Sequence, residues 1–243
     1  TVKQKEIEMK GSRQKMRAYE RLLDYLRVYI KNGRQYTNNE RALKRKLTAL
    51  RVFLTYLYKN GQIHSNPALL VDMPKIQDKA IVRMEANEVA QFLDNVEYGN
   101  KLSNHQMAYH EKNKKRDLAL LTLMLGTGIR VSECVGLDIQ DVDFDYDRIK
   151  VVRKGGYEAY VYFGKEARDA LCDYLEERKD ILAQEGHEKA LFLSSQRKRI
   201  SVRSVENMVK KYASITTPTK KITPHKLRST YGTSLYQQTS DIY

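Results

Sequence analysis

Residues 126–133 read GTGIRVSE, and a second motif, PHKLR, follows at residues 224–228. Together the two motifs bring two arginines, a histidine and a glutamate to one candidate site. Each guanidinium can donate a pair of hydrogen bonds to two phosphate oxygens and stays charged at any working pH. A hydroxyl or thiol nucleophile with a single base does not need two guanidiniums, whereas a phosphodiester in a pentacoordinate transition state does. The motifs therefore predict chemistry on a phosphodiester.

Composition and cysteine content exclude several classes of protein. A chain of 243 residues with 41% hydrophobic residues can bury one good core or two small ones. No stretch approaches the roughly 18 consecutive apolar residues of a membrane span, and the first residues do not resemble a signal peptide. Cys134 and Cys172 each lie in an apolar helical pattern, which favours free thiols over a disulfide. We therefore expect an intracellular protein without a membrane partner.

The positive charge is concentrated in the first part of the chain. The net charge of the whole sequence is +14. Residues 1–76 contain 17 Lys and Arg against 6 Asp and Glu, whereas residues 77–243 contain 27 against 24. A basic N-terminal part joined to a nearly balanced C-terminal part suggests a polyanion that is bound mainly by the first part. The predicted partner is nucleic acid.

Three helices are predicted in this basic part, the last of them a short one that begins at Asn66-Pro67. The first runs from residue 12 to about residue 31, has leucines on one side, and is ended by Asn32-Gly33. The second begins with a capping box formed by Thr37 and Glu40 and ends before Gly61. It carries a core stripe of leucines and, on the opposite side, a basic stripe that suits a helix lying in a DNA groove. The residues of this stripe that we expect to contact DNA are Arg41, Lys44, Arg45, Thr48 and Arg51.

A linker predicted at residues 74–84 separates a helical DNA-binding domain, residues 1–73, from a second domain, residues 85–243. Alternating β-branched and aromatic residues at 148–153 and 158–163 predict a hairpin around the sequence KGGY. The predicted fold class is mainly α, with a small antiparallel β hairpin or sheet in the second domain. Helical patterns in that domain cover residues 85–95, 116–125, 165–182, 202–213 and 224–237.

A polar segment between the first two of these helices contains His105 and His110. The two histidines have no acidic or thiol companion at ligand spacing. No metal site and no cofactor are therefore predicted.

The ordered pair of motifs resembles the tyrosine recombinase, or phage integrase, family, and the resemblance covers nearly the whole chain. It implies a helical core-binding domain followed by an α+β catalytic domain. Further details of the sequence resemble Xer-type and transposon-type recombinases of Gram-positive bacteria. The reaction implied is site-specific DNA recombination, in which a tyrosine attacks the scissile phosphate and forms a 3′-phosphotyrosyl link. The 5′ hydroxyl of a partner strand then reverses that link.

The resemblance also assigns roles to residues. Arg130 and Arg228 would clamp the phosphate, His225 would orient or protonate it, and Glu133 would support the site. Lys154, at the hairpin tip, would be the general acid toward the leaving 5′ oxygen, with Arg153 as the alternative for this role. No metal is needed, because these residues supply the electrostatic stabilisation. The family segment that faces DNA phosphates is matched by Arg197, Lys198, Arg199 and Arg203.

The implied partner is a double-stranded DNA recombination site, bound by a homo-tetramer on two sites when the protein is full length. The implied location is the cytoplasm, in association with the nucleoid. Two biological roles stay open, the integration and excision of a mobile element and the resolution of chromosome dimers. The alternative function is a non-catalytic DNA-binding protein that retains the recombinase fold.

The sequence departs from the family pattern in two places. Ser229 follows Arg228, where the family usually has a histidine. The family also places its nucleophilic tyrosine roughly 35 residues after the box histidine, and Tyr231, Tyr236 and Tyr243 lack that spacing. We therefore expect the nucleophile beyond Tyr243, and we expect this chain alone to bind DNA without forming the covalent link.

Overall fold

The computed structural model describes residues 17, 20–22, 24–70, 72–76, 80–153 and 155–240. By its internal contacts the chain divides into two units, Thr1–Lys79 and Ala80–Tyr243. The described part is mainly helical with small antiparallel sheets, which confirms the predicted fold class. Within it, no helix combines the length and the apolar character that a bilayer span requires.

The first unit contains a β hairpin that the sequence analysis did not predict. Residues 24–27 are helical, but the chain then forms β1 (Val28–Lys31), which pairs antiparallel with β2 (Arg34–Thr37). The helix predicted to continue to residue 31 is therefore wrong at its end, and its residues 12–16 lie outside the described part. Asn32 and Gly33 both have positive φ, 51° and 72°. An Asn-Gly pair in this conformation is the preferred two-residue hairpin turn, so it turns the chain rather than ending a helix.

Helix α1 (Glu40–Lys59) follows the hairpin. Its N-cap is Asn39, whose side chain accepts a hydrogen bond from the Ala42 amide at 2.9 Å. The predicted capping box of Thr37 and Glu40 is wrong, because Thr37 is the last residue of β2 and Glu40 is the first residue of the helix rather than its third. A 3₁₀ turn (Pro67–Leu70) packs against α1. The small core of this unit is formed by Leu43, Leu47 and Ala68.

The helices of the second unit are α2 (Ala86–Tyr98), α3 (Asn104–Glu111), α4 (Lys114–Thr127), α5 (Val131–Gly136), α6 (Lys165–Lys179), α7 (Val202–Thr216) and α8 (Pro224–Thr239). The helices predicted here are confirmed, with ends that differ by a few residues. Helix α3 was not predicted. Its signal was present in the polar segment, because Ser103 and Gln106 form a reciprocal capping box at its start.

The sheet of the second unit has three antiparallel strands in the order β3 (Val142–Asp143), β4 (Arg148–Val152) and β5 (Glu158–Tyr162). The β4–β5 hairpin is confirmed. Ile149 and Val151 of β4 are buried in the main core. Gly155 and Gly156 in the connecting turn have φ of 94° and 82°, which glycine adopts without strain. Lys154, in the same turn, lies outside the described residues.

Helix α4 is the central helix of the second unit. It packs against α2, α6 and α8 and is apolar around most of its circumference. Leu120, Leu121, Leu123 and Met124 are fully buried in consequence. The end of α4 is therefore held rigidly in the core, and the sequence GTGIR begins at that end.

Candidate active site

The turn after α4 brings α8 close to the first motif. Gly128 is the C-cap of α4, with φ of 62°, and its amide donates to the Met124 carbonyl at 3.0 Å. A Cβ atom at this position would lie 2.9 Å from Tyr231 Cε1 and closer still to Cδ1. The position therefore requires glycine for two reasons, the left-handed backbone and the contact with the Tyr231 ring of α8.

Arg130 is the N-cap of the short helix α5 and is held by Glu133. The Arg130 amide donates to Glu133 Oε2 at 2.8 Å, and Arg130 Nη1 donates to Glu133 Oε1 at 2.8 Å. The Glu133 side chain is only 7% exposed, whereas that of Arg130 is 53% exposed. One carboxylate thus fixes both the backbone and one edge of the guanidinium, and the other part of the guanidinium faces solvent.

Helix α8 supplies the second arginine. Pro224 occupies its first turn, and Leu227 is fully buried in the main core. Arg228 is half-buried, and its Nη1 donates to the carbonyl oxygen of Gly128, two residues before Arg130. His225 is exposed and lies one turn before Arg228 on the same side of the helix, at the i and i+3 positions.

The structure therefore brings Arg130, Glu133 and Arg228 to the two sides of one turn, and His225 lies one helical turn before Arg228. The two guanidiniums carry two positive charges against the single carboxylate of Glu133, which leaves an excess of positive charge beside an exposed surface. Such an arrangement suits an anion with several acceptor oxygens, because each guanidinium can donate to two of them. The fifth predicted member, Lys154, lies outside the described residues.

The basic stripe of α1 divides into two kinds of residue. Arg41, Lys44, Arg45 and Thr48 are exposed, and the Thr48 hydroxyl donates back to the Lys44 carbonyl at 2.8 Å. Arg51 is half-buried, and its Nε donates to the Ala68 carbonyl at 2.9 Å. Arg51 thus joins α1 to the 3₁₀ turn, whereas the other four residues face solvent.

The segment that leads into α7 divides in the same way. Arg197, Lys198 and Arg203 are exposed. Arg199 is half-buried and donates through Nη1 to the carbonyl oxygens of Val135, Gly136 and Leu137, at 3.2, 3.0 and 2.8 Å. No property of the sequence separated Arg199 from its neighbours, because an isolated arginine in a polar segment gives no sign of which carbonyls lie near it.

A buried polar network joins α3, α4 and α7 away from this site. Asp117 accepts from Arg116 at 2.5 Å and from the Tyr212 hydroxyl at 3.0 Å, and His110 Nδ1 lies 3.1 Å from that hydroxyl. Burial lowers the pKa of His110 and also lowers that of Lys211. Burial raises the pKa of Tyr212. The network joins these three helices through buried side chains, among them the ring of His110.

Comparison with known proteins gives consistent matches. The phage integrase family matches residues 82–243. The tyrosine recombinase XerS of Streptococcus agalactiae serotype III (strain NEM316) is 36% identical over 228 residues, covering 86% of this chain and 64% of XerS. The tyrosine recombinase XerC of Listeria monocytogenes serotype 4b (strain F2365) is 32% identical over 219 residues, covering 89% of this chain and 69% of XerC. The chain thus spans slightly less than two thirds of the XerS length.

Two solved structures share the fold. The XerH site-specific recombinase bound to its difH substrate matches with a TM-score of 0.60 and 20% identity, covering 83% of this chain and 55% of XerH. The Tn1549 transposon integrase in complex with circular intermediate DNA matches with a TM-score of 0.62 and 21% identity, covering 84% of this chain and 68% of the integrase chain. At these identities the likeness concerns the fold alone.

Proposed function

Because this chain belongs to the phage integrase family of tyrosine recombinases, we propose that the protein is a site-specific DNA recombinase. In the proposed reaction a tyrosine hydroxyl attacks the scissile phosphate, the bond to the 5′ oxygen breaks, and a 3′-phosphotyrosyl link forms. A 5′ hydroxyl then attacks that link, releases the tyrosine and restores the phosphodiester. The observation that carries the proposal is the hydrogen bond from Arg228 to the Gly128 carbonyl, which places the second arginine beside the turn of the first.

The two arginines would act on the transition state. The solvent-facing edge of Arg130 and the second arm of Arg228 can each donate to a non-bridging oxygen of the phosphate. Both side chains are already held by protein partners, Glu133 and the Gly128 carbonyl, so little reorganisation is needed when charge develops on those oxygens. His225 would donate to the same phosphate, and Lys154 would protonate the leaving 5′ oxygen.

We place the nucleophilic tyrosine outside this sequence. Tyr231 is the strongest internal candidate by position, since it lies on α8 close to Arg228. Its ring packs against Gly128, so closely that the smallest side chain there would collide with it. This contact supports a packing role for Tyr231 rather than a role as the nucleophile.

The proposed partner is a double-stranded DNA recombination site in the nucleoid, bound by a homo-tetramer on two such sites. The exposed cations Arg41, Lys44 and Arg45 support this partner, because they form one basic face of α1. The solved XerH and Tn1549 relatives are complexes with DNA. We propose Arg197, Lys198 and Arg203 as phosphate contacts of the second unit, and we leave Arg51 and Arg199 out because their guanidiniums donate to backbone carbonyls.

The test starts from the protein encoded by the complete reading frame. Duplexes that it binds are selected from a randomised library, and the selected site is then prepared with a nick beside the cleavage position so that rejoining is blocked. The expected result is a protein–DNA adduct that survives denaturation with detergent and is absent in Arg130→Ala. Selective binding without any adduct would instead favour a non-catalytic DNA-binding protein with the recombinase fold.

A further inference from the structure

The helix that carries Arg130 is too short to hold its own position. Helix α5 spans six residues, Val131–Gly136, and isolated helices of this length are not stable in water. The carbonyl groups of its last turn have no amide donor within the helix and need other partners. The orientation of Arg130 at the N-cap therefore depends on what holds the two ends of α5.

Glu133 holds the first end, and Arg199 holds the other. The three carbonyls that Arg199 Nη1 contacts, at 2.8 to 3.2 Å, belong to the last turn of α5 and to its C-cap Leu137. Arg199 Nη2 also donates to the carboxylate of Asp138, which follows directly. A positive charge at this end is favourable for a second reason, because the helix dipole places partial negative charge there.

Arg199 is itself held in place. It forms an isolated β-bridge with Leu193, and the amide of the next residue, Ile200, donates to the Phe192 carbonyl at 2.9 Å. Leu193 and Ile200 are both buried in the core. The guanidinium therefore projects from a fixed backbone onto the end of α5.

We infer that Arg199 is a positioning residue for Arg130, acting through α5, and that it is not a DNA contact. The inference rests on the proposed recombinase function. Loss of the guanidinium would release the last turn of α5 and let the helix shift, and Arg130 would move with it. Arg228 would not follow, because it is anchored to Gly128 before the helix begins. The separation of the two guanidiniums would change, and the phosphate could no longer accept hydrogen bonds from both of them.

Arg168 offers a matched control. Like Arg199, it joins two parts of the fold through an aspartate and a backbone carbonyl, Asp147 and Phe144, the latter at 2.7 Å. The side-chain exposures are similar, 40% for Arg168 and 31% for Arg199. Arg168 lies on α6 and contacts the β3–β4 turn, so its loss should cost stability without moving α5.

The experiment compares Arg199→Met, Arg199→Lys and Arg168→Met in the protein from the complete reading frame. Three quantities are measured on the nicked duplex: the DNA affinity, its salt dependence, and the rate of adduct formation at saturating DNA. The rate of amide hydrogen exchange of residues 131–137 is measured on the protein without DNA. In Arg199→Met we expect faster exchange in α5 and a rate about 10- to 100-fold lower. Affinity and its salt slope should stay unchanged. Arg199→Lys should recover part of the rate, and Arg168→Met should keep it.

Three results would overturn the inference. A normal rate at saturating DNA with a salt slope reduced by about one phosphate contact would make Arg199 a DNA contact. An equal loss of rate in Arg199→Met and Arg168→Met would reduce its role to general stability. Unchanged exchange in α5 would show that the contact does not hold the helix. If the unsubstituted protein forms no adduct, the recombinase proposal fails by itself, and the exchange data still decide whether Arg199 holds the helix of Arg130.

Discussion

Replacing Gly128 with alanine is expected to destabilise the second unit by about 2–5 kcal/mol. The first contribution is the backbone, because an alanine at φ of 62° costs roughly 1–2 kcal/mol. The second is steric, since the new Cβ would lie 2.9 Å from Tyr231 Cε1 and nearer still to Cδ1. To relieve that overlap the ring or the whole of α8 must shift, and forced overpacking of this kind typically costs about 1–3 kcal/mol.

Gly126 is a matched control in the same turn. A Cβ at this position meets no atom within 4 Å, and the residue lies in the last turn of α4. Gly126→Ala should therefore stabilise the unit by about 0.5–1 kcal/mol, through helix propensity. Two chemically identical substitutions, two residues apart, are thus expected to act in opposite directions.

The assay is urea unfolding followed by far-ultraviolet circular dichroism, which suits a chain with no tryptophan. Gly128→Ala and Gly126→Ala are compared with the unsubstituted protein. Tyr231→Ala and the double variant Gly128→Ala/Tyr231→Ala complete a double-mutant cycle. Truncating the ring should remove the steric contribution and leave the backbone contribution, so the coupling energy should be about 1–3 kcal/mol. Equal stability of Gly128→Ala and Gly126→Ala would refute the argument, and a coupling energy near zero would refute its steric part.

Other expected outcomes concern DNA contacts, catalysis and pH. Replacing Lys44 and Arg45 together with alanine should weaken DNA binding and lower the salt slope by about two phosphate contacts, and an unchanged slope would remove α1 from the interface. Arg130→Ala should abolish adduct formation but spare most of the DNA affinity, because its clamp acts mainly on the transition state, and an equal loss of both would contradict this. Because burial lowers the pKa of His110, the unfolded chain binds more protons than the folded one below the ordinary histidine value of about 6.5. The contribution of His110 to the free energy of unfolding should therefore be complete above about pH 6.5 and should decrease as the pH falls below that value. Urea unfolding at several pH values should show a smaller decrease in the free energy of unfolding for His110→Gln than for the unsubstituted protein.

The helices and strands that were predicted correctly are those whose structure is determined by a pattern within the element itself. The β4–β5 hairpin has strict alternation around a pair of glycines, and the Pro224 helix has a proline in its first turn. The Asn32-Gly33 pair was ambiguous, because the same two residues can end a helix or turn a hairpin. The residues on both sides of the pair favour the hairpin, because Tyr29 and Tyr36 stack across its two strands with ring centroids 5.5 Å apart.

Side-chain roles that depend on distant backbone could not be predicted. Arg51 and Arg199 each share a basic segment with residues that face solvent, and nothing local distinguishes them. Their partners are carbonyl groups, which every residue has, so the sequence carries no sign of the contact. The pairing of Arg130 with Glu133 is different, because a carboxylate three residues after an N-cap is a recognisable local arrangement.

The geometry of the two arginines depends on one short turn. Arg228 is tied to the carbonyl of Gly128, and Arg130 follows that glycine by two residues, so the position of this turn contributes to the distance between the guanidiniums together with the contact of Arg130 with Glu133. The turn is fixed on one side by the buried end of α4 and on the other by the Tyr231 ring. In the proposed reaction, two guanidiniums held in this way would be in place before the phosphate binds, which is what electrostatic stabilisation of a transition state requires. It follows that Gly128→Ala should lower the rate of adduct formation even in the fraction of protein that remains folded, whereas Gly126→Ala should leave that rate unchanged.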